Sequence, residues 1–383
     1  MRQFPVFGYH VSRQAIVSLL PALILCVSTI APPLLHGQGA FTSIISEHVR
    51  LRIPAEREWI GRDSIAELQR CYLFIQGVTG KKLPRLVQIT VSWEAKESGV
   101  SLEDASITIG MNTPVALADS RAYLQYAAIR ELARMALLEL SEGGAAREEN
   151  RFILEGMAKI LTHEYDRSSR SLNAAWAHCH LMDRIRPLGF APLASWATFS
   201  GGRLDLRTAS PGITFLMTCR ELNGRDRLLR LFASLREKML PDGIDDAFRM
   251  SAAKLEGAWL DRVRKYAVTE DVTVGPEEDA PRLQYMAMEP GTILPGRWLT
   301  VRVQVLDRNN DLLPESVYLE DVQSRRITRG RAAAGAGRIK LELPIETERR
   351  PGVYGYRLIA IDEAGNLRNW TGTYNVESTA ARE

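Results

Sequence analysis

From residue 119 to about residue 265 apolar residues recur at helical spacing, whereas after residue 281 they alternate strictly with polar ones. A chain that changes its hydrophobic period in this way predicts a helical body followed by an all-β module. In the first region Asp119 or Ser120 is the N-cap candidate of a helix running to Leu140. Further helices are expected over 149–165, 171–185, 211–222, 225–237 and 244–266. In the second region Leu299, Val301, Val303 and Val305 alternate with Thr300, Arg302 and Gln304, and Ile339, Leu341 and Leu343 follow the same rule. A further strand over 354–361 runs into Asp362-Glu363-Ala364-Gly365-Asn366. Short strands closed by Gly and Asn turns predict a β-sandwich over 282–379.

The remaining segments are read from composition and local pattern. Residues 46–117 are mixed: Val49, Leu51 and Ile53 alternate, 65–78 has helical spacing, and 86–91 and 105–111 read as strands, which predicts a small α/β subdomain. The helical subdomain is placed at 118–267. Residues 268–281 are acidic and carry two prolines, the composition of an exposed linker. Residues 1–40 place Arg2 and Arg13 before an apolar run of about 17 residues containing Pro21, followed by Pro32, Pro33, Gly37, Gly39 and Ala40. This is a signal-peptide pattern, and its length also matches the short limit of an uncleaved N-terminal anchor. The expected location is therefore outside the cytoplasm: periplasmic, cell-surface or secreted.

Without residues 1–40 the chain has 47 basic and 46 acidic residues, a balance that offers no electrostatic case for nucleic acid. A membrane is expected only through the N-terminal segment if it stays uncleaved. Cys71, Cys179 and Cys219 then remain, so one disulfide can form at most and one thiol must stay free within the chain. Nucleophile elbows, phosphate loops and dinucleotide fingerprints are missing. Asp307 to Asp311 begins like a calcium loop, but Leu312 and Tyr318 stand where glycine and glutamate would be needed, so a hairpin turn is expected.

The informative motif is Ile129-Arg130-Glu131-Leu132-Ala133-Arg134-Met135, followed by a Gly143-Gly144 break and Arg151-Phe152-Ile153-Leu154-Glu155-Gly156-Met157-Ala158. A zinc hydrolase needs two neutral imidazoles one helical turn apart, a glutamate beside the first to polarise water, and a third ligand from the next helix. Here Arg130 and Arg134 have the ligand spacing, Glu131 has the place of the base, and Glu155 that of the third ligand. This framework resembles the gluzincin or peptidase-MA-like family over residues 46–266. The segment from Gly352 to Asn366 resembles the late strands of bacterial immunoglobulin-like modules. The resemblances together imply an α+β chain, with a thermolysin-like α/β plus helical domain followed by an immunoglobulin-like sandwich.

The departures from that family decide the chemistry. Guanidinium has no free lone pair and stays protonated, so neither Arg130 nor Arg134 can ligate zinc. The two arginines instead supply the charge that the ion would have carried. Glu131, a vestigial base, and Glu155 are expected to join them in a salt-bridge cluster, with no metal, cofactor or catalytic residue. Replacement ligands exist only as His163 with Glu155 and one of His178 or His180. However, residues 178 and 180 diverge by about 200° on a helix. The expectation is an exported, non-catalytic peptidase-like protein that binds or scaffolds at a bacterial cell envelope. Its partner would be a protein or peptide, held by strand addition along residues 105–110. Two alternatives stand beside it: an active zinc peptidase using that unconventional ligand set, and a structural surface protein binding through its sandwich. Nothing in the sequence fixes an oligomeric state.

Overall fold

The structure is a computed structural model that describes residues 40–113, 116–117, 119–166, 170–190, 206–248, 250–266, 280–308, 312–334 and 338–378. The proposed signal or anchor segment, apart from Ala40, lies outside these residues, as do positions 268–279 of the expected linker and 309–311 of the expected turn. The fold is α+β, with a β-sandwich-like region following the helices.

The first sheet contains β1 (Phe41–Ile45), β2 (Val49–Pro54), β3 (Val87–Ser92), β4 (Gly99–Ser101) and β5 (Ser106–Gly110). Their order is β1-β2-β3-β5-β4, with β2, β3 and β5 parallel and the outer two strands antiparallel. Alternation places Val49, Leu51, Ile53, Val87, Ile89, Val91, Ile107 and Ile109 in the core. There they meet α1 (Glu58–Thr79) and α2 (Ser120–Leu140). The expectation that residues 105–110 form the edge is corrected: β5 is internal, and β4 with β1 forms the rim. Strand order depends on long-range pairing, so a three-residue strand such as β4 gives no local warning of it.

The helical body continues through α3 (Arg151–Asp166), α4 (Arg170–Ile185), α5 (Leu206–Asn223), α6 (Arg225–Ser234), α7 (Leu240–Ala247) and α8 (Ala252–Lys265). The helix expected over 244–266 is two helices. Phe248 adopts an extended backbone, and the Ser251 hydroxyl accepts from Lys254 N to start α8 afresh. Between α2 and α3 the chain turns at Gly143, whose φ is +84°. Where α3 crosses α5, Gly156 faces Gly212. A Cβ on either would overlap backbone of the other helix, so this approach admits only glycine.

The sandwich stacks two sheets. One orders β10 (Ile327–Arg329), β9 (Val317–Asp321), β13 (Gly352–Ile361), β14 (Leu367–Val376) and β7 (Thr292–Ile293). The other orders β11 (Arg331–Ala332), β12 (Arg338–Pro344), β8 (Trp298–Leu306) and β6 (Arg282–Glu289). Leu299, Val301, Val303, Leu341, Leu343, Leu319, Leu358 and Ala360 fill the space between them.

In the sandwich sheet that holds β9 and β13, the face turned away from β8 and β12 is covered along β9 and the second half of β13. Tyr318, Ile359, Ile361 and Leu367 belong to the same core as the helices, and all five residues of β9 are buried. His178 Nδ1 on α4 lies 3.1 Å from Tyr318 Oη, and Arg184 Nη1 lies 2.8 Å from Glu320 Oε1. The exposed linker is corrected at its described end, because Ala280 and Pro281 are buried. The sandwich is therefore packed against the helical body and is not a separately tethered module.

Candidate functional site

α2 is phased by its cap, in which the Asp119 side chain accepts from Ala122 N at 3.0 Å. That phase brings Tyr126, Arg130 and Arg134, spaced four apart, onto one face, while Arg151, Glu155, Lys159 and His163 repeat the same spacing on α3. The two helices pack together, so the rows form a polar seam inside an otherwise apolar body.

Within the seam the four residues singled out from the sequence meet. Arg130 donates to Glu131 Oε1 from Nε at 3.0 Å and from Nη2 at 2.8 Å, and Arg134 donates from Nη1 to Glu131 Oε2 at 2.9 Å. Glu131 is 0% exposed, so its charge is held entirely by these two arginines. Arg134 Nε lies 3.1 Å from Glu155 Oε1, close enough for charge attraction. The angles are poor, however, and neither atom makes a hydrogen bond. Glu155 is 2% exposed, and burial raises its carboxyl above the ordinary range despite the pull of Arg134 and Arg130. Burial works against the Arg130 guanidinium, yet the Glu131 carboxylate holds it above its usual value.

Two further members of the seam, Tyr126 and Lys159, escaped the sequence reading. Lys159 Nζ donates to Tyr126 Oη at 2.8 Å. Burial pulls the ammonium down, but Tyr126 and the carboxylate of Glu363 carry it above its ordinary value. Glu363 belongs to the β13–β14 turn, so the sandwich supplies charge to the helical seam. The i, i+4, i+8 series Glu155, Lys159, His163 was the available signal, since an amphipathic helix with charge on a buried face needs partners.

The alternative ligand set does not assemble. His163 lies along the seam beside Lys159, and burial followed by that ammonium pushes its imidazole down to about 4. His178 faces Tyr318, while His180 Nδ1 lies 3.1 Å from the Val263 carbonyl oxygen. Among the described residues no three His, Cys, Asp or Glu side chains converge as a metal site. Cys71, Cys179 and Cys219 are all free and buried, so the disulfide allowed by the count does not form. Burial pushes the thiols of Cys71 and Cys179 up to about 12, leaving them inert.

No protein-family model and no curated protein matches this sequence. Among solved structures, one likeness is to carbohydrate-binding modules of the β-sandwich superfamily, at 18% identity and a TM-score of 0.21, covering 27% of this chain. The chain spans only 37% of the length of that structure. Another is to the alkylpurine DNA glycosylase AlkC of Pseudomonas fluorescens bound to DNA containing an abasic site analogue. It has 14% identity and a TM-score of 0.23, with 85% of this chain and 100% of the other covered. A third is to the N-terminal part of the bacterial S-layer protein SbsC, at 9% identity and a TM-score of 0.16, covering 84% and 78%. Likenesses with TM-scores this low say nothing about chemistry.

Proposed function

We propose that this chain is a non-catalytic, peptidase-like protein of the gluzincin type, exported to the cell envelope, where it binds or scaffolds a protein or peptide partner. The observation that supports the reading is the Arg130–Glu131–Arg134 cluster. Two permanently protonated side chains occupy the ligand spacing of a zinc hydrolase and saturate the carboxylate that would otherwise activate water. Glu155, from the next helix, meets the same cluster, as a third ligand would. A mixed sheet packed on the motif helix and bounded by a short antiparallel strand also fits such a fold. On this reading the sandwich is an immunoglobulin-like module, and the partner segment would pair with the free side of β4 in place of the internal β5.

Purified protein should contain no stoichiometric zinc by elemental analysis and show no chelator-sensitive proteolysis. Tightly held zinc, with proteolysis that disappears in Glu131→Gln, would overturn the proposal.

A further inference from the structure

We propose that Arg130 and Arg134 form a receptor for a second carboxylate, presented by an extended peptide. This rests on the non-catalytic reading above, since it requires the arginines to stand where a metal would otherwise be. The donor inventory carries it. Arg130 spends Nε and one N–H of Nη2 on Glu131, and Arg134 spends one N–H of Nη1. Among the described residues Arg130 Nη1 and Arg134 Nη2 donate to no protein group, and neither is among the buried unpaired atoms. Both side chains keep solvent access, 15% for Arg130 and 14% for Arg134. Each guanidinium therefore keeps unspent N–H groups that are not sealed from solvent, while its other edge is pinned to Glu131.

Glu131 shows how this pair takes a carboxylate, with one oxygen on each guanidinium. The same division of labour is open to an incoming carboxylate at the outer edge. Fixing the arginines against a fully buried anion removes much of the rotamer entropy that a free pair would lose on binding. The surrounding charge permits an anion: Arg130, Arg134, Arg151 and Lys159 act on this seam against the carboxylates of Glu131, Glu155 and Glu363. Glu155 lies 3.1 Å from Arg134 at Nε and accepts no hydrogen bond from Arg134 Nη2.

The ligand chemistry is a planar carboxylate, and it can come from a chain terminus or from an acidic side chain. Calorimetric titration of the full-length chain separates these sources with three N-acetylated peptides: tetra-alanine free acid, tetra-alanine amide, and an alanine peptide amide with one internal aspartate. At least one acid-bearing peptide should bind about tenfold or more tightly than the all-alanine amide, acetate should compete with it, and the arm that binds names the source. Arg130→Lys, which keeps the charge but loses the fork, should weaken that peptide by about tenfold. Equal affinity for acid and amide, or no saturable binding of any acid or of acetate at millimolar concentration, would overturn the receptor. If Arg130→Lys fails to fold, the acid and amide comparison on the native chain decides alone. Zinc measured on the same sample keeps the failures apart: zinc-free protein with no acid preference refutes only this inference, while stoichiometric zinc refutes the proposed function itself.

Discussion

In the sandwich, Asp321 has both carboxylate oxygens saturated. Oδ1 accepts from the backbone N of Gln323 at 2.9 Å and of Ser324 at 3.0 Å, while Oδ2 accepts from Tyr374 Oη at 2.7 Å and from Arg349. In the helical seam Glu155 is as deeply buried, yet its Oε1 accepts no hydrogen bond and meets only the charge of Arg134 Nε at 3.1 Å. The pKa directions follow. Burial pushes both carboxyls up, but the Tyr374, Ser324 and Arg349 donors bring Asp321 below its ordinary value, whereas Glu155 stays above. Buried polar groups that only hold a fold together are normally paired in full. Arg349 Nε in the sandwich and Arg134 Nε in the seam both lack a hydrogen bond, so the contrast between the two clusters lies in their carboxylates, one fully paired and one not.

The largest expected effect is in the sandwich cluster. Asp321→Ala would take from the Arg349 guanidinium, whose side chain is 7% exposed, its nearer carboxylate, leaving Glu346 at 3.4 Å and the Tyr354 ring, and should cost about 2–4 kcal/mol in denaturant unfolding. A loss below about 1 kcal/mol would show that the sandwich cluster is no brace.

A second pair of groups sets the two regions against each other in pH. His163, at about 4 folded against 6.5 ordinarily, stays neutral while the unfolded chain takes up a proton, so its contribution is lost as pH falls from 6.5 to 4. Asp362, in the β13–β14 turn, is pushed by burial to about 7 from 3.8, so the folded state holds the extra proton and stability is lost as pH rises through that window. The shifts correspond to about 3 kcal/mol for His163 and about 4 kcal/mol for Asp362, and over the shared range they oppose one another. His163→Gln should therefore unmask a stability that falls with rising pH, and Asp362→Asn one that falls with falling pH. Parallel pH profiles for the two variants in thermal unfolding would contradict the assignment.

The smallest effect is the most discriminating. Because Glu155 Oε1 has no hydrogen bond to lose and burial holds the carboxyl above its ordinary range, Glu155→Gln should change stability by less than about 1 kcal/mol. A cost matching that of Asp321→Ala would erase the distinction between the clusters.

Much of this could be read from the sequence wherever the determinant was local. The start of α2 at Asp119 follows from a cap three residues from its partner, and the meeting of Arg134 with Glu131 and the shared face of Arg130 and Arg134 follow from helix period, whereas the contact between the adjacent Arg130 and Glu131 does not. Tyr126 and Lys159 were overlooked because each is unremarkable until the other helix is laid beside it. The internal position of β5 was missed for the same reason, since β4 supplies only three residues. Hardest of all was the second buried face of the sandwich. Tyr318, Ile359, Ile361 and Leu367 look in sequence like the outward members of alternating strands, and only the helices behind them account for their burial.

The shared core beneath β9 and β13 has a mechanical consequence. Tyr318 and Ile361 are packed among the helices, and Arg184 holds Glu320 at 2.8 Å. Load applied to the sandwich by anything it grips would pass straight into α4. Heating should melt the two halves together in one calorimetric peak, and two separate peaks would show that the shared core does not couple them.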